Sequence, residues 1–309
     1  MKAVSAYQLS KQYGSHTALR EISFSLDAGE LFGFIGPDGA GKTSLFRILT
    51  TLLLPDGGQA EVLGLDIVKD YRLLRRRIGY MPGRFSLYQD LSVEENLHFY
   101  ARVFGADVAE NMPLIEDVYT QIAPFRKRRA GKLSGGMKQK LALSCALIHR
   151  PDILFLDEPT TGVDAVSRRE FWDMLGRLKD DGLSIVVSTP YMDEAARCDR
   201  VALMQAGEIL AIDSPERIIR QFPHELYRIK GPDMFQLYQA LQKFQGGFSA
   251  YRAGEYIHLA IDFNATSLSH ILAVLRESGV AYEQPIGIDP GIEDAFLEKM
   301  KEKEIPFAR

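Results

Sequence analysis

Gly36-Pro37-Asp38-Gly39-Ala40-Gly41-Lys42-Thr43, followed by Ser44, fits the pattern G-x-x-x-x-G-K-[ST], and its surroundings decide the fold. The apolar run 31–35 before it reads as a buried parallel strand. The segment 43–51 after it carries Leu45, Ile48 and Leu49 at helical spacing, continued by Leu52. Glycines without a Cβ let backbone N–H groups close around a phosphate, and the helix that follows adds the positive end of its dipole. Lys42 is placed to reach the β- and γ-phosphates, and the Thr43 hydroxyl to ligate Mg²⁺. The stretch predicts a site for ATP or GTP.

Upstream, residues 4–9 and 18–26 read as strands with a turn at Gly14-Ser15. Downstream, Pro55-Asp56-Gly57-Gly58 is a turn before a short strand at 60–63. From Ser92 to about Arg150 the pattern is helical. Ser92-Val93-Glu94-Glu95 has the form of a capping box, and Ser134 begins a second helix that continues to Ile148. Strands then alternate with helices: strand 153–156, helix 165–178, strand 184–188, helix near 191–196, strand 201–204. Such alternation implies a parallel sheet covered by helices, with its chemistry at strand C-termini. A boundary falls near Phe222-Pro223-His224. Beyond it, strands at 225–229, 256–261 and 282–288 and helices at 234–244, 268–277 and 292–300 suggest a small ferredoxin-like α+β module.

Two motifs add chemistry. Ile153-Leu154-Phe155-Leu156-Asp157-Glu158 is an apolar strand ending in two carboxylates. Asp157 suits the Mg²⁺ hydration shell, and Glu158 suits orienting or deprotonating an attacking water. Leu133-Ser134-Gly135-Gly136-Met137-Lys138-Gln139 opens a helix with a serine and two glycines, which makes a second anion-binding N-terminus. One chain cannot easily bring both anion sites onto one nucleotide. Two chains packed head-to-tail can, so Ser134, Gly135 and Gly136 are expected to act in trans.

With these motifs in place the chain resembles the nucleotide-binding subunit of an ATP-binding-cassette (ABC) transporter over residues 1 to about 220. The resemblance implies a P-loop ABC-type ATPase with an N-terminal antiparallel β subdomain, a RecA-like parallel sheet core and a helical subdomain at about 90–150. The predicted domains are then 1–222 for ATP binding and 223–309 for the accessory module. It also implies ATP and Mg²⁺ as cofactors, Tyr13 stacking on adenine, and Gly36, Asp38, Gly39, Ala40, Gly41, Lys42, Thr43 and Ser44 around the phosphates. Thr43 and Asp157 serve the metal, and Glu158 is catalytic. Leu133 to Gln139 stands as the signature motif, and Gly162-Val163-Asp164 as the interface loop. The 92–104 region resembles the surface that touches membrane subunits. Pro290-Gly291-Ile292-Glu293-Asp294-Ala295-Phe296 and the run 141–147 are similar to the ABC-2-type exporter branch. The implied partners are a second ABC ATPase subunit, identical or sister, and an integral membrane permease.

Two positions depart from the family pattern. After Ile78-Gly79-Tyr80-Met81-Pro82, where members place a glutamine, stands Gly83. After Val186-Val187-Ser188-Thr189, where they place a histidine that contacts the γ-phosphate, stands Pro190. Gln89 could replace the glutamine only by remodelling its loop, and none of the six histidines lies near position 190. Glycine offers no amide, and proline lacks even its N–H. The expectation is a site that binds ATP but turns it over slowly, serving a sister cassette through Ser134. A homodimer relying on Glu158 alone, a non-hydrolysing regulatory subunit and a soluble ABC ATPase remain as alternatives.

Composition narrows the field. A formal net charge of −4 over 309 residues gives no global attraction to nucleic acid or an anionic membrane. No apolar run is long enough to span a bilayer, and Met1-Lys2-Ala3-Val4 does not begin a signal peptide. The expected location is the cytoplasmic face of a membrane, reached through the permease. Cys145 and Cys198 match neither metal nor redox spacing and read as core residues, as does Trp172. The basic runs 72–77 and 126–132 read as solvated faces, the second adjoining an anion site.

Overall fold

Leu31–Ile35 is buried at every position, and this strand is the spine on which the glycine loop 36–41 is mounted. A strand that is apolar on both faces must be covered on both, which places it inside a helix-flanked parallel sheet. The computed structural model describes residues 1–244 and 246–303. It divides into two compact units, residues 1–218 with 299–303, and Ile219–Glu298.

In the first unit β1 (Lys2–Tyr13), β2 (His16–Asp27), β3 (Leu31–Ile35) and α1 (Lys42–Leu49) precede β4 (Gly57–Val62), β5 (Leu65–Asp66), α2 (Tyr71–Leu74) and β6 (Ile78–Met81). The helices α3 (Val93–Phe104), α4 (Val108–Tyr119) and α5 (Gly135–Leu147) follow, then β7 (Ile153–Asp157), α6 (Ala165–Asp180), β8 (Ser184–Thr189), β9 (Arg200–Gln205), β10 (Glu208–Asp213) and α7 (Pro215–Arg220). One antiparallel sheet has the order β2-β1-β4-β5, and a second sheet has the order β10-β9-β3-β8-β7-β6. In the second sheet β9, β3, β8, β7 and β6 run parallel, and β10 joins antiparallel. β3 and β7 therefore end at the same edge with β8 between them.

Aromatic packing ties the sheets together. Phe24 of β2 meets Phe34 of β3 edge-on at 5.0 Å, Phe34 meets Phe46 of α1 at 5.9 Å, and Phe46 meets Phe155 of β7 at 5.9 Å. Burying each such ring contributes about 1.5–3 kcal/mol, so this train locks α1, and with it the loop that precedes it, onto β3 and β7. Cys145, Cys198 and Trp172 are buried, as expected of core residues.

β10 was not legible as a strand, because its hairpin turns on Ala206 and Gly207, both at positive φ, without the usual Asn-Gly signal. The expected helix near 191–196 is a 3-10 helix, Met192–Arg197.

The second unit holds β11 (Glu225–Ile229), α8 (Met234–Lys243), β12 (Phe248–Ala253), β13 (Tyr256–Ile261), α9 (Leu268–Glu277), β14 (Ile286–Ile288) and the start of α10 (Ile292–Glu302). Its antiparallel order β12-β13-β11-β14 is that of a ferredoxin-like βαββαβ module. Ile257, Leu259 and Ile261 face a core completed by Leu237, Leu241, Ile271 and Leu275 of the helices. The expected strand 282–288 is shorter than read: Pro285 has no N–H to give the ladder, and pairing starts at Ile286. β12 escaped sequence reading because Gly246-Gly247 and a mixed Phe-Ser-Ala-Tyr-Arg-Ala pattern blur its alternation. Residues 304–309 of the predicted accessory domain lie outside the described residues.

Candidate nucleotide site

The phosphate loop turns where only glycine fits. Gly41, the N-cap of α1, has φ of +100°, and a Cβ there would sit 2.3 Å from the Ala18 carbonyl oxygen. A Cβ on Gly36 would sit 2.1 Å from the Met204 carbonyl oxygen. The loop thus runs against neighbouring strands while leaving its inner side open. Tyr13, His16, Ala18, Asp38, Gly39, Ala40, Gly41, Lys42, Thr43, Ser44 and Glu158 line a cleft of about 200 Å³.

Within it, distant parts of the chain converge. Lys42 Nζ donates to the Gly36 carbonyl at 2.7 Å and the Pro37 carbonyl at 3.0 Å, and lies 3.4 Å from Glu158 Oε1. Burial holds the Lys42 ammonium below its usual pKa, opposed by the charges of Glu158, Asp38 and Asp157. Thr43 Oγ1 donates to Asp157 Oδ1 at 3.3 Å, so two hard oxygen donors of the kind Mg²⁺ prefers stand together at the end of the loop. The donor set fits that metal, with the remaining ligands to come from phosphates and water. Tyr13 is 44 % exposed at the mouth, its hydroxyl accepting from Ser44 Oγ at 3.4 Å.

β8 holds Asp157 by its carboxylate and Glu158 by its backbone. Ser188 Oγ donates to Asp157 Oδ1 at 2.5 Å, while the Glu158 N–H reaches the Ser188 carbonyl and Oγ, each at 3.0 Å. Glu158 has φ of +49°, a left-handed conformation that is strained for a non-glycine residue. Sequence reasoning missed Ser188, because nothing in a strand-final serine announces which neighbour it will meet. It also placed no histidine near the site, whereas His16 lines the cleft with Tyr13, brought there by the β1–β2 hairpin.

Ser134, Gly135 and Gly136 lie apart from the cleft. Ser134 caps α5, accepting from the Met137 N–H at 3.4 Å, and Cβ atoms on the two glycines would meet Gly162 and Ser167. A Cβ on Gly83 would be 3.0 Å from the Asp157 carbonyl oxygen and 3.7 Å from Glu158 Cβ. Position 83 therefore adjoins the Asp157 backbone and the base of the Glu158 side chain, and brings no side chain of its own. Gln89 does not replace it, since its backbone carbonyl accepts from Gly131 in the helical region.

A second, larger groove of about 310 Å³ lies between the end of β6 and the helical region, with Leu52, Tyr80, Phe85, Tyr100, Phe104 and Ala146 among its lining. Its His149 ring stacks on Phe104 at 3.9 Å and contacts the Ile78 carbonyl at 3.0 Å.

Comparison with known proteins agrees with this arrangement. Residues 19–161 match the family described as ABC transporter. The chain is 39% identical over 221 residues to the probable multidrug ABC transporter ATP-binding protein YbhF of Escherichia coli K12, covering 71% of this chain and 38% of that protein. It therefore spans well under half the length of that relative. It is 35% identical over 251 residues to the Nod factor export ATP-binding protein I of Rhizobium etli, covering 75% of this chain and 78% of that one. A solved ATP binding subunit of an ABC transporter superposes with TM-score 0.65 at 26% identity, covering 71% of this chain and 93% of that one. A dimeric, post-hydrolysis ATP-binding cassette bound to ADP and Pi gives 0.60 at 25%, covering 68% and 98%. The motif-bearing loops, the sheet order and these likenesses agree: the chain belongs to the family of ABC transporter ATP-binding proteins.

Proposed function

We propose that this chain is the ATP-driven subunit of an export transporter, closing with a second cassette around ATP and working a separate membrane permease. The carrying observation is that Lys42, Thr43 and Glu158 line one cleft, with Asp157 hydrogen-bonded to Thr43, while the Ser134 turn stands outside it. In this reading Tyr13 stacks on adenine, residues 36–44 grip the phosphates, and Thr43 and Asp157 hold Mg²⁺. The ion, when bound, neutralises charge on the transferred phosphoryl group. Glu158 orients and deprotonates the water. Ser134, Gly135 and Gly136 of the partner cassette complete the grip.

The groove beside β6 is the permease's seat, since its apolar floor adjoins both the Gly83 loop and α5. The first unit acts as the motor and the ferredoxin-like unit, Ile219–Glu298, as an accessory module at the cytoplasmic face. Among the described residues no helix is long and apolar enough to cross a membrane, which supports a separate permease. Export is favoured because one relative is described as a Nod factor export ATP-binding protein and another as a probable multidrug ABC transporter ATP-binding protein.

Gly83 and Pro190 leave the γ-phosphate region without the amide and imidazole that family members place there. Losing contacts to a transferred group slows chemistry more than binding. The chain's own site is accordingly a slow one, paired with a sister cassette. Phosphate release by wild type, Glu158→Gln and the double variant Gly83→Gln/Pro190→His tests this. The double variant is expected to turn over faster than wild type. A fast wild type that the double variant does not improve, with Glu158→Gln inactive, overturns the slow-site reading and leaves the motor.

A further inference from the structure

Glu194 is 3 % exposed, and a carboxylate so deeply placed needs partners. It has one on each side. Thr160 Oγ1 donates to Oε1 at 2.7 Å, and Thr189 Oγ1 donates to Oε2. Both threonines are buried, at 1 % and 0 % exposure. Thr160 lies just past Glu158 on the loop leading to Gly162, and Thr189 ends β8 immediately before Pro190. The carboxylate therefore ties the loop that carries Glu158 to the loop that carries Pro190. Arg168 of α6 closes the assembly, its Nε 3.9 Å from Glu194 Oε1 and its guanidinium 4.5 Å over the Tyr191 ring.

The choice of a carboxylate follows from the donors. Thr189 Oγ1 already accepts the Tyr191 N–H at 3.1 Å, so its own proton must find an acceptor. Thr160 presents a second proton. An ionised carboxylate accepts at both oxygens, whereas glutamine offers one oxygen and an NH₂ that leaves a hydroxyl proton without a buried partner. What this tie steadies is the strained backbone at Glu158, whose φ of +49° persists only where its surroundings enforce it.

We propose that Glu194 is a positioning residue of the hydrolytic site: through Thr160 and Thr189 it holds the Glu158 turn in the conformation that aims its carboxylate into the cleft. The proposal rests on the hydrolytic reading of Glu158. The test uses the full chain with Thr160→Val, Thr160→Ser and Glu194→Gln. It measures phosphate release, binding of a fluorescent ATP analogue, and amide hydrogen exchange across residues 158–163. Thr160→Val and Glu194→Gln should lower kcat by about tenfold or more while leaving nucleotide affinity within roughly twofold. They should also speed exchange in that loop, and Thr160→Ser should keep both near wild type. Wild-type exchange and kcat in Glu194→Gln overturns the proposal, as does a parallel loss of affinity and kcat. If Glu158→Gln turns over like wild type, the hydrolytic role of Glu158 fails, and loop exchange in that background still decides whether Glu194 holds the turn.

Discussion

The ammonium of Lys42 and the carboxylate of Glu158 meet at 3.4 Å across the end of β8, the lysine buried to 3 % exposure. Burial depresses the lysine pKa and Glu158 opposes that effect. Phosphate binding needs the charged form, so nucleotide affinity should fall as pH rises through the depressed Lys42 pKa. Glu158→Gln removes the opposing charge and should move that fall to lower pH. The sign for stability is the reverse: between the folded pKa and 10.5 the unfolded chain binds more protons, so nucleotide-free protein gains stability as pH rises there. Titrating nucleotide affinity of both proteins against pH checks the direction, and identical profiles would remove Glu158 as the lysine's partner.

Glycine substitutions in the loop should separate into two classes. Gly39→Ala meets no atom within 4 Å and bears only a left-handed backbone, φ +80°, worth about 1–2 kcal/mol. Gly36→Ala drives a Cβ to 2.1 Å from the Met204 carbonyl oxygen, and β9 must shift to admit it. Its loss should exceed about 4 kcal/mol, at the far end of single substitutions. Urea unfolding of the two variants, compared with wild type, gives the ranking.

The capping box of α3 is complete: Ser92 N–H donates to Glu95 Oε2 at 2.7 Å and Glu95 N–H to Ser92 Oγ at 3.2 Å. Ser92→Ala should cost about 1 kcal/mol. Faster amide exchange should appear in the first turn of α3 and not in α1. Exchange that rises equally in both helices would argue that the cap has no local role.

In the ferredoxin-like unit, Asp294 accepts from Tyr251 OH at 2.6 Å and the Gly291 N–H at 2.6 Å, and pairs with His258 Nδ1 at 2.8 Å. Burial pushes its pKa up, but the His258, Tyr251 and Gly291 bonds outweigh burial and hold it below the usual carboxylate value. A depressed folded pKa means that this stability is present above the ordinary carboxylate range and lost as pH falls through the folded value. Asp294→Asn should destabilise the unit at neutral pH and flatten its loss of stability in acid. Denaturant midpoints at pH 7, 5 and 3 check both limbs.

Local chemistry made much of this molecule readable. The glycine loop, the carboxylate strand and the Ser92 and Ser134 caps each carry their signal within a few residues, and all four stand where that signal puts them. Tertiary meetings were not readable. Ser188 under Asp157, His16 at the cleft, and Glu194 between two threonines depend on which strands lie side by side, and β8 came between β3 and β7 only through crossover connections. β12 and β10 failed for a simpler reason, since weak alternation and an Ala-Gly turn give little local contrast.

The helix α5 begins at the Ser134 turn, and its later residues Gln139, Ala142, Cys145 and Ala146 form one wall of the apolar groove. At about 1.5 Å per residue it is a rod of roughly 20 Å with no proline within it. Such a rod transmits displacement instead of absorbing it. Whatever tilts the serine end by a few degrees must swing the groove wall with it, which makes this single helix a lever between the two surfaces.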